Sequence, residues 1–155
     1  MSRELLRREL PSGVVARVVV SDSEDGDLNN RVDPLILEKR RLAVAPLPWT
    51  WLNQIHGTEI VEVEEPGGRR GERADAAVTT KSGCTLSVTV VDCVPVVIVA
   101  EGGGLAVVHA GWRGIIGGIL EIAAGSLGAV AEGPLRGVIG PCIHSCCYAF
   151  GKGEL

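Results

Sequence analysis

Val94-Pro-Val-Val-Ile-Val-Ala100-Glu-Gly-Gly-Gly104-Leu-Ala-Val-Val-His109 holds two nearly unbroken apolar runs on either side of three glycines. Runs this short and this rich in Val and Ile read as strands buried on both faces, and the glycines read as the tight turn of a hairpin. Working towards the N-terminus, Leu86 to Val91 and Ala76 to Thr80 carry the same β signal. Towards the C-terminus, Ile115 to Leu127 places Ile115, Ile116, Ile119, Leu120, Ile122, Ala123 and Leu127 as a helical stripe against the sheet. Gly117, Gly118 and Gly125 oppose that helix unless close backbone packing requires them. A last strand, Leu135 to Ile139, leads into Gly140-Pro141-Cys142.

Further out, Val14 to Val20 and Glu59 to Val63 read as strands. The turn-prone, acidic run Ser21 to Asp27 closes the first of them. Asp33-Pro34 opens a helix, with Asp able to cap and Pro suited to the first turn, and the basic Lys39-Arg40-Arg41 near its end complements the dipole. Pro66 to Glu72 is expected to be the most mobile internal loop. These elements predict a single α/β domain of the α+β type over residues 1–155, a compact mixed β-sheet or β-sandwich flanked by helices, with two layers as the economical arrangement.

Composition narrows the function. At 155 residues, 46% apolar and 22% charged, the chain has enough material for one hydrophobic core. A net charge of −4 and only five aromatic residues (three Trp, one Tyr, one Phe) argue against a nucleic-acid or anionic-membrane surface. No apolar run approaches the ~20 residues that span a bilayer. The N-terminal Met1-Ser-Arg-Glu-Leu-Leu-Arg-Arg-Glu-Leu10 lacks the apolar core of a secretion signal, so a cytoplasmic location is expected. Five cysteines, an odd number, fit free thiols better than a disulfide framework. The sequence leaves the oligomeric state open.

Two of the three histidines, His56 and His109, fall where a strand meets a glycine-containing turn, and Cys93 lies in the break Val91-Asp-Cys-Val-Pro95. Strand ends in α/β folds let polar side chains converge without disrupting the core. Two imidazoles and a thiolate are a catalytic zinc set, leaving a fourth position free. Zinc there would hold the thiol deprotonated and lower the pKa of its water towards ~7. The intervals between the three are long, unlike a short chelating motif. A buried Cys acting as a small hydrophobe with two hydrogen-bonded turn histidines therefore remains the alternative.

Cys142-Ile-His-Ser-Cys146-Cys147 is a weaker candidate for a soft metal, and packing or one active-site thiol accounts for it better. Arg113, at the entry to the helix, suits an anion. Gly102-Gly-Gly104 is a turn rather than a dinucleotide fingerprint, and neither a Gly-x-Ser-x-Gly elbow nor a P-loop is present.

Taken in order, Asn53-Gln-Ile-His-Gly-Thr58, Ala74-Asp-Ala-Ala-Val-Thr79, Val91-Asp-Cys-Val-Pro-Val96, Val108-His-Ala-Gly-Trp-Arg-Gly114 and Ile139-Gly-Pro-Cys-Ile143 with Cys146-Cys-Tyr148 resemble the laccase-domain family, also called multicopper polyphenol oxidase-like. The resemblance runs from about Val14 to Gly151. It implies a mixed α/β fold with a central β-sandwich and metal ligands at His56, Cys93 and His109. It also implies zinc-dependent phosphorolysis of purine nucleosides with adenosine deaminase activity, on a small-molecule nucleoside and phosphate. Asp92 or Cys93 would serve proton transfer and Arg113 would hold phosphate. Some bacterial relatives are instead assigned to editing peptidoglycan precursors as cytosolic amidases.

Copper is the alternative ion, since it outcompetes zinc at such sites. Oxygen reduction as in a true multicopper oxidase is not expected from three histidines. Two other readings remain: a metal-binding module without turnover, and a metal-free cysteine hydrolase pairing Cys93 with His109. Relatives usually continue beyond the Cys-Tyr block, whereas this chain stops at Gly151-Lys-Gly-Glu-Leu155, and Ala149 stands where they often carry Glu. Gly26-Asp-Leu-Asn29 replaces a longer N-terminal loop. The chain is therefore expected to be a short or C-terminally truncated member.

Overall fold

The computed structural model describes residues 1–148; Ala149 and the stretch to Leu155, singled out above, lie outside the described residues. In chain order the strands and helices are β1 (Arg3–Glu9), β2 (Val15–Val20), α1 (Pro34–Val44), β3 (Trp49–Trp51), β4 (Ile60–Glu62), β5 (Ala76–Thr79), β6 (Thr85–Ser87), β7 (Val94–Ala100), β8 (Gly104–Ala110), α2 (Trp112–Ile116), α3 (Ile119–Val130) and β9 (Leu135–Ile139). A five-stranded sheet in the order β4-β5-β8-β7-β9 forms the centre. Only β4 and β5 run parallel in it, and every other pairing is antiparallel. The hairpin read from the three glycines is present, with Ala100 opposite Gly104.

One face of this sheet is built from small residues. Ala76, Val78, Ala106, Val108 and Ala110 leave room for α3, whose Ile119, Ala123 and Leu127 are fully buried against them. The helix packs so closely that a Cβ on Gly104 would stand 2.8 Å from that of Ala131. The other face, with Val61, Ala77, Val97 and Val107, is covered by Leu52, Leu86 and Val88, and at one side by Leu6, Leu10 and Ala16 of the β1–β2 hairpin. The domain thus has three layers rather than the two expected. The third is formed by the hairpin and the parallel β3–β6 pair, a sandwich-like cover too short in each piece to stand out in the sequence.

Other expectations need correction. The helical stripe is not one helix: Gly118, at φ 83, breaks it into α2 and α3. Ile115, Ile116 and Ile122 consequently face outward, at 45%, 67% and 43% exposure. A Cβ on Gly117 would meet Thr58 Cγ2 at 2.7 Å, so close packing explains that glycine. Gly125 has open space around it and is not explained this way.

The strand expected to reach Val91 ends at Ser87. Beyond it the Gln54 side chain brackets Thr89, donating to its carbonyl and accepting from its amide, both at 2.7 Å, in place of a strand partner. The charged N-terminus, not read as a strand, forms β1, which pairs antiparallel with β2 and packs Leu6 against the sheet, with Glu4 meeting Arg17 across the hairpin and Arg8 meeting Glu101 in the turn after β7. The α1 helix begins as expected, with Asp33 accepting from the amides of Leu35 and Ile36. Among the described residues, no helix is long and apolar enough to cross a membrane.

Candidate metal centre

Three loops and strand ends meet at one end of the central sheet. Cys93 is the residue before β7, and His109 is the penultimate residue of β8, paired in register with Pro95. His56 comes from the connection between β3 and β4. The ligand atoms of His56, Cys93 and His109 lie within 4.8 Å of one another. Cys93 Sγ is 3.9 Å from His56 Nδ1, and the two imidazoles meet edge to face at 4.7 Å between centroids. His109 is buried, Cys93 half-buried and His56 exposed, so the group opens to solvent on the His56 side.

A buried carboxylate beneath the group organises it. Asp75, 0% exposed and immediately before β5, accepts from the backbone amides of Ile55 (3.2 Å), His56 (2.9 Å) and Gly57 (2.8 Å). Its Oδ1 also lies 2.8 Å from His109 Nδ1. A carboxylate accepts and cannot donate, so Nδ1 carries the hydrogen and the Nε2 lone pair is left for a ligand. His56 sits at φ 58, in the left-handed region that a residue with a Cβ enters at about 1–2 kcal/mol. The amide bonds to Asp75 offset that cost, since hydrogen bonds to a charged group contribute about 1.5–3 kcal/mol each. Asp75 was not singled out as a site residue from the sequence. The available signal was an acid standing alone in the buried run Ala74-Asp-Ala-Ala-Val78.

The donor set fits a metal ion. Two nitrogens and a sulfur, with one position to spare, are a mononuclear zinc set. A tetrahedral site of ordinary bond lengths has edges of about 3.3–3.6 Å, so 3.9 Å is near closure and the widest gap needs about an ångström of movement. Glycine leaves the space: a Cβ on Gly111 would stand 2.8 Å from His56 Nδ1 and 3.5 Å from Cys93 Sγ. Burial chiefly, and then the charges of Asp92 and Asp75, push the Cys93 thiol up, so a bound cation would have to displace its proton.

Of the remaining candidates, Asp92 is exposed beside Cys93. Arg113 is exposed on α2, two positions after Gly111, with its guanidinium 4.4 Å from the Trp112 ring. Cys142, His144, Cys146 and Cys147 do not converge as a ligand set. Among the described residues, His56, Cys93 and His109 form the one group of three or more with metal-ligand geometry. The thiols of Cys146 and Cys147 lie 3.3 Å apart and are exposed. A hollow of about 980 Å³ lies on the far side of the sheet among Val18, Val44, Leu86 and Val99, and His56, Cys93 and His109 do not line it.

A mixed sheet presents two imidazoles and a thiol at one end, steadied by a buried carboxylate, as a group that could hold one metal ion. The chain belongs to the multi-copper polyphenol oxidoreductase laccase family, whose model matches residues 20–154. Purine nucleoside phosphorylase SCO2081 of Streptomyces coelicolor is 35% identical over 116 residues, 72% of this chain and 48% of that protein. Purine nucleoside phosphorylase YlmD of Geobacillus stearothermophilus is 33% identical over 149 residues, 83% of this chain and 50% of that protein. The crystal structure of YlmD matches with a TM-score of 0.68 at 27% identity, over 79% of this chain and 53% of that one. The chain spans about half the length of the curated relatives it matches.

Proposed function

We propose that this protein is a metal-dependent enzyme acting on purine nucleosides, cleaving them with phosphate and also deaminating adenosine, with zinc as its ion and copper as the alternative. The observation that carries the reading is the convergence of His56, Cys93 and His109 in a chain whose relatives are named purine nucleoside phosphorylases. Zinc held there would supply a Lewis acid and a water of lowered pKa at neutral pH.

The chain's own residues take the remaining roles. His56, Cys93 and His109 hold the ion. The Arg113 guanidinium binds the phosphate co-substrate as a bidentate donor, its plane supported by Trp112. Asp92, exposed beside the site, relays the proton of the hydrogen-phosphate co-substrate to a ring nitrogen of the departing base, Cys93 being able to move one only when it is not holding the ion. The small-molecule substrates need neither nucleic acid nor membrane, and the setting is the cytoplasm.

Adenosine incubated in phosphate buffer and followed by chromatography, before and after chelation and with zinc added back, tests the reading. Adenine or inosine that forms only with metal supports it, adenine marking phosphorolysis and inosine deamination. No product from metal-loaded protein contradicts it. Product that survives chelation but is lost on thiol alkylation would instead indicate a cysteine hydrolase. Within the scheme, Arg113→Ala raises the KM for phosphate, and an unchanged KM removes Arg113 from it.

A further inference from the structure

Asp75 touches both imidazoles' supports at once. Its carboxylate fixes the His109 ring through Nδ1 at 2.8 Å and closes the 55–57 turn through backbone amides, which sets the left-handed conformation from which His56 projects. Asp75 is itself held by its chain: its amide donates to the Glu59 carbonyl at 2.9 Å and its carbonyl accepts from the His109 amide at 2.7 Å. These bonds fix the backbone from which the carboxylate is presented to both histidines.

We infer that Asp75 is the positioning residue of the site, a single buried anion that sets the His109 tautomer and the His56 backbone together and so makes two separated histidines one chelating pair. The inference rests on reading His56, Cys93 and His109 as the metal site. Ligand imidazoles commonly owe their orientation to a partner on the other ring nitrogen, but here the same partner also shapes the backbone of the second ligand. The coupling matters because His56 is exposed and, among the described residues, its ring meets only Cys93 Sγ at 3.9 Å and the edge of the His109 ring, itself held by Asp75. Its placement comes from the backbone beneath it.

The test compares wild-type protein with Asp75→Asn, which keeps size and one acceptor oxygen but loses the charge and the second acceptor. Zinc affinity is read by competition with a chromophoric chelator, and the His109 tautomer by ¹⁵N–¹H spectra of the metal-free protein. Circular dichroism controls for the fold. The expected result is zinc binding weakened about 10–100-fold in Asp75→Asn, and a wild-type His109 that carries its hydrogen on Nδ1 before metal is added. Equal affinities in two folded proteins would overturn the inference and leave the metal site standing. Failure of the wild type to bind zinc would overturn both. Should Asp75→Asn not fold, the wild-type spectrum decides: hydrogen on Nε2 of His109 overturns the inference.

Discussion

Asp75 and His109 are joined twice: the His109 amide donates to the Asp75 carbonyl at 2.7 Å, and the His109 ring nitrogen Nδ1 lies 2.8 Å from Asp75 Oδ1. The backbone bond continues the β5–β8 ladder by one step, so the sheet itself brings the carboxylate to the imidazole. A structural bond and a site bond share the same two residues. The sheet itself therefore places His109, whereas His56 and Cys93 come from the connecting segments beside it.

The space for the ion depends on a glycine. Gly111→Ala would place a methyl group 2.8 Å from His56 Nδ1, and its backbone, at φ −71, accepts alanine without strain. Metal affinity is expected to fall at least tenfold while thermal unfolding of the metal-free protein shifts little. Calorimetric zinc titration beside a thermal melt checks this, and unchanged affinity would show that the cradle lies elsewhere.

The raised Cys93 thiol gives a pH signature. Below its folded-state pKa the thiol is protonated, so each ion bound as thiolate releases a proton and affinity drops about tenfold per pH unit as pH falls. Metal-free protein should react slowly with iodoacetamide at Cys93 at pH 7, faster as pH rises beyond the ordinary thiol range, and hardly at all once metal is bound. Because the fold disfavours the thiolate more than the unfolded chain does, the metal-free fold loses stability as pH climbs through the thiol range. Peptide mapping of the alkylated site measures the rates, and fast alkylation at pH 7 would show an activated thiol instead.

The α3 helix packs against the sheet that carries His109. Leu127→Ala removes a fully buried side chain from the α3 face and should cost about 2–5 kcal/mol, read from urea unfolding. Ile122→Ala, on the outward side of the same helix, should cost well under 1 kcal/mol. A large loss at Ile122 would mean that another surface covers it.

The sequence made the centre of this fold legible and the periphery less so. Val94–Ala100 coincides with a strand because a continuous apolar, β-branched run leaves no competing period. Asp33-Pro34 marked its helix because cap chemistry is local. The strand β1 was missed because its stability comes from pairing with β2 and from charges on other elements, which the pattern of Arg and Glu alone does not reveal. The split between α2 and α3 was hidden because the apolar spacing runs across Gly117-Gly118 as though the helix did.

At the site, strand-end position and residue type singled out His56, Cys93 and His109 as one candidate set beside a packing alternative, and the structure brings their ligand atoms within 4.8 Å of one another. Asp75 was not singled out, because its role consists of partners brought in from 18 to 34 positions away.

The most direct measurement is a cobalt(II) titration of the metal-free protein, followed by absorbance, with Cys93→Ser beside it. Binding of about one ion per chain is predicted, with an intense thiolate-to-metal charge-transfer band in the near ultraviolet that Cys93→Ser loses and His109→Ala weakens. Saturable binding with no such band, or an undiminished band in Cys93→Ser, would contradict a metal site built from His56, Cys93 and His109.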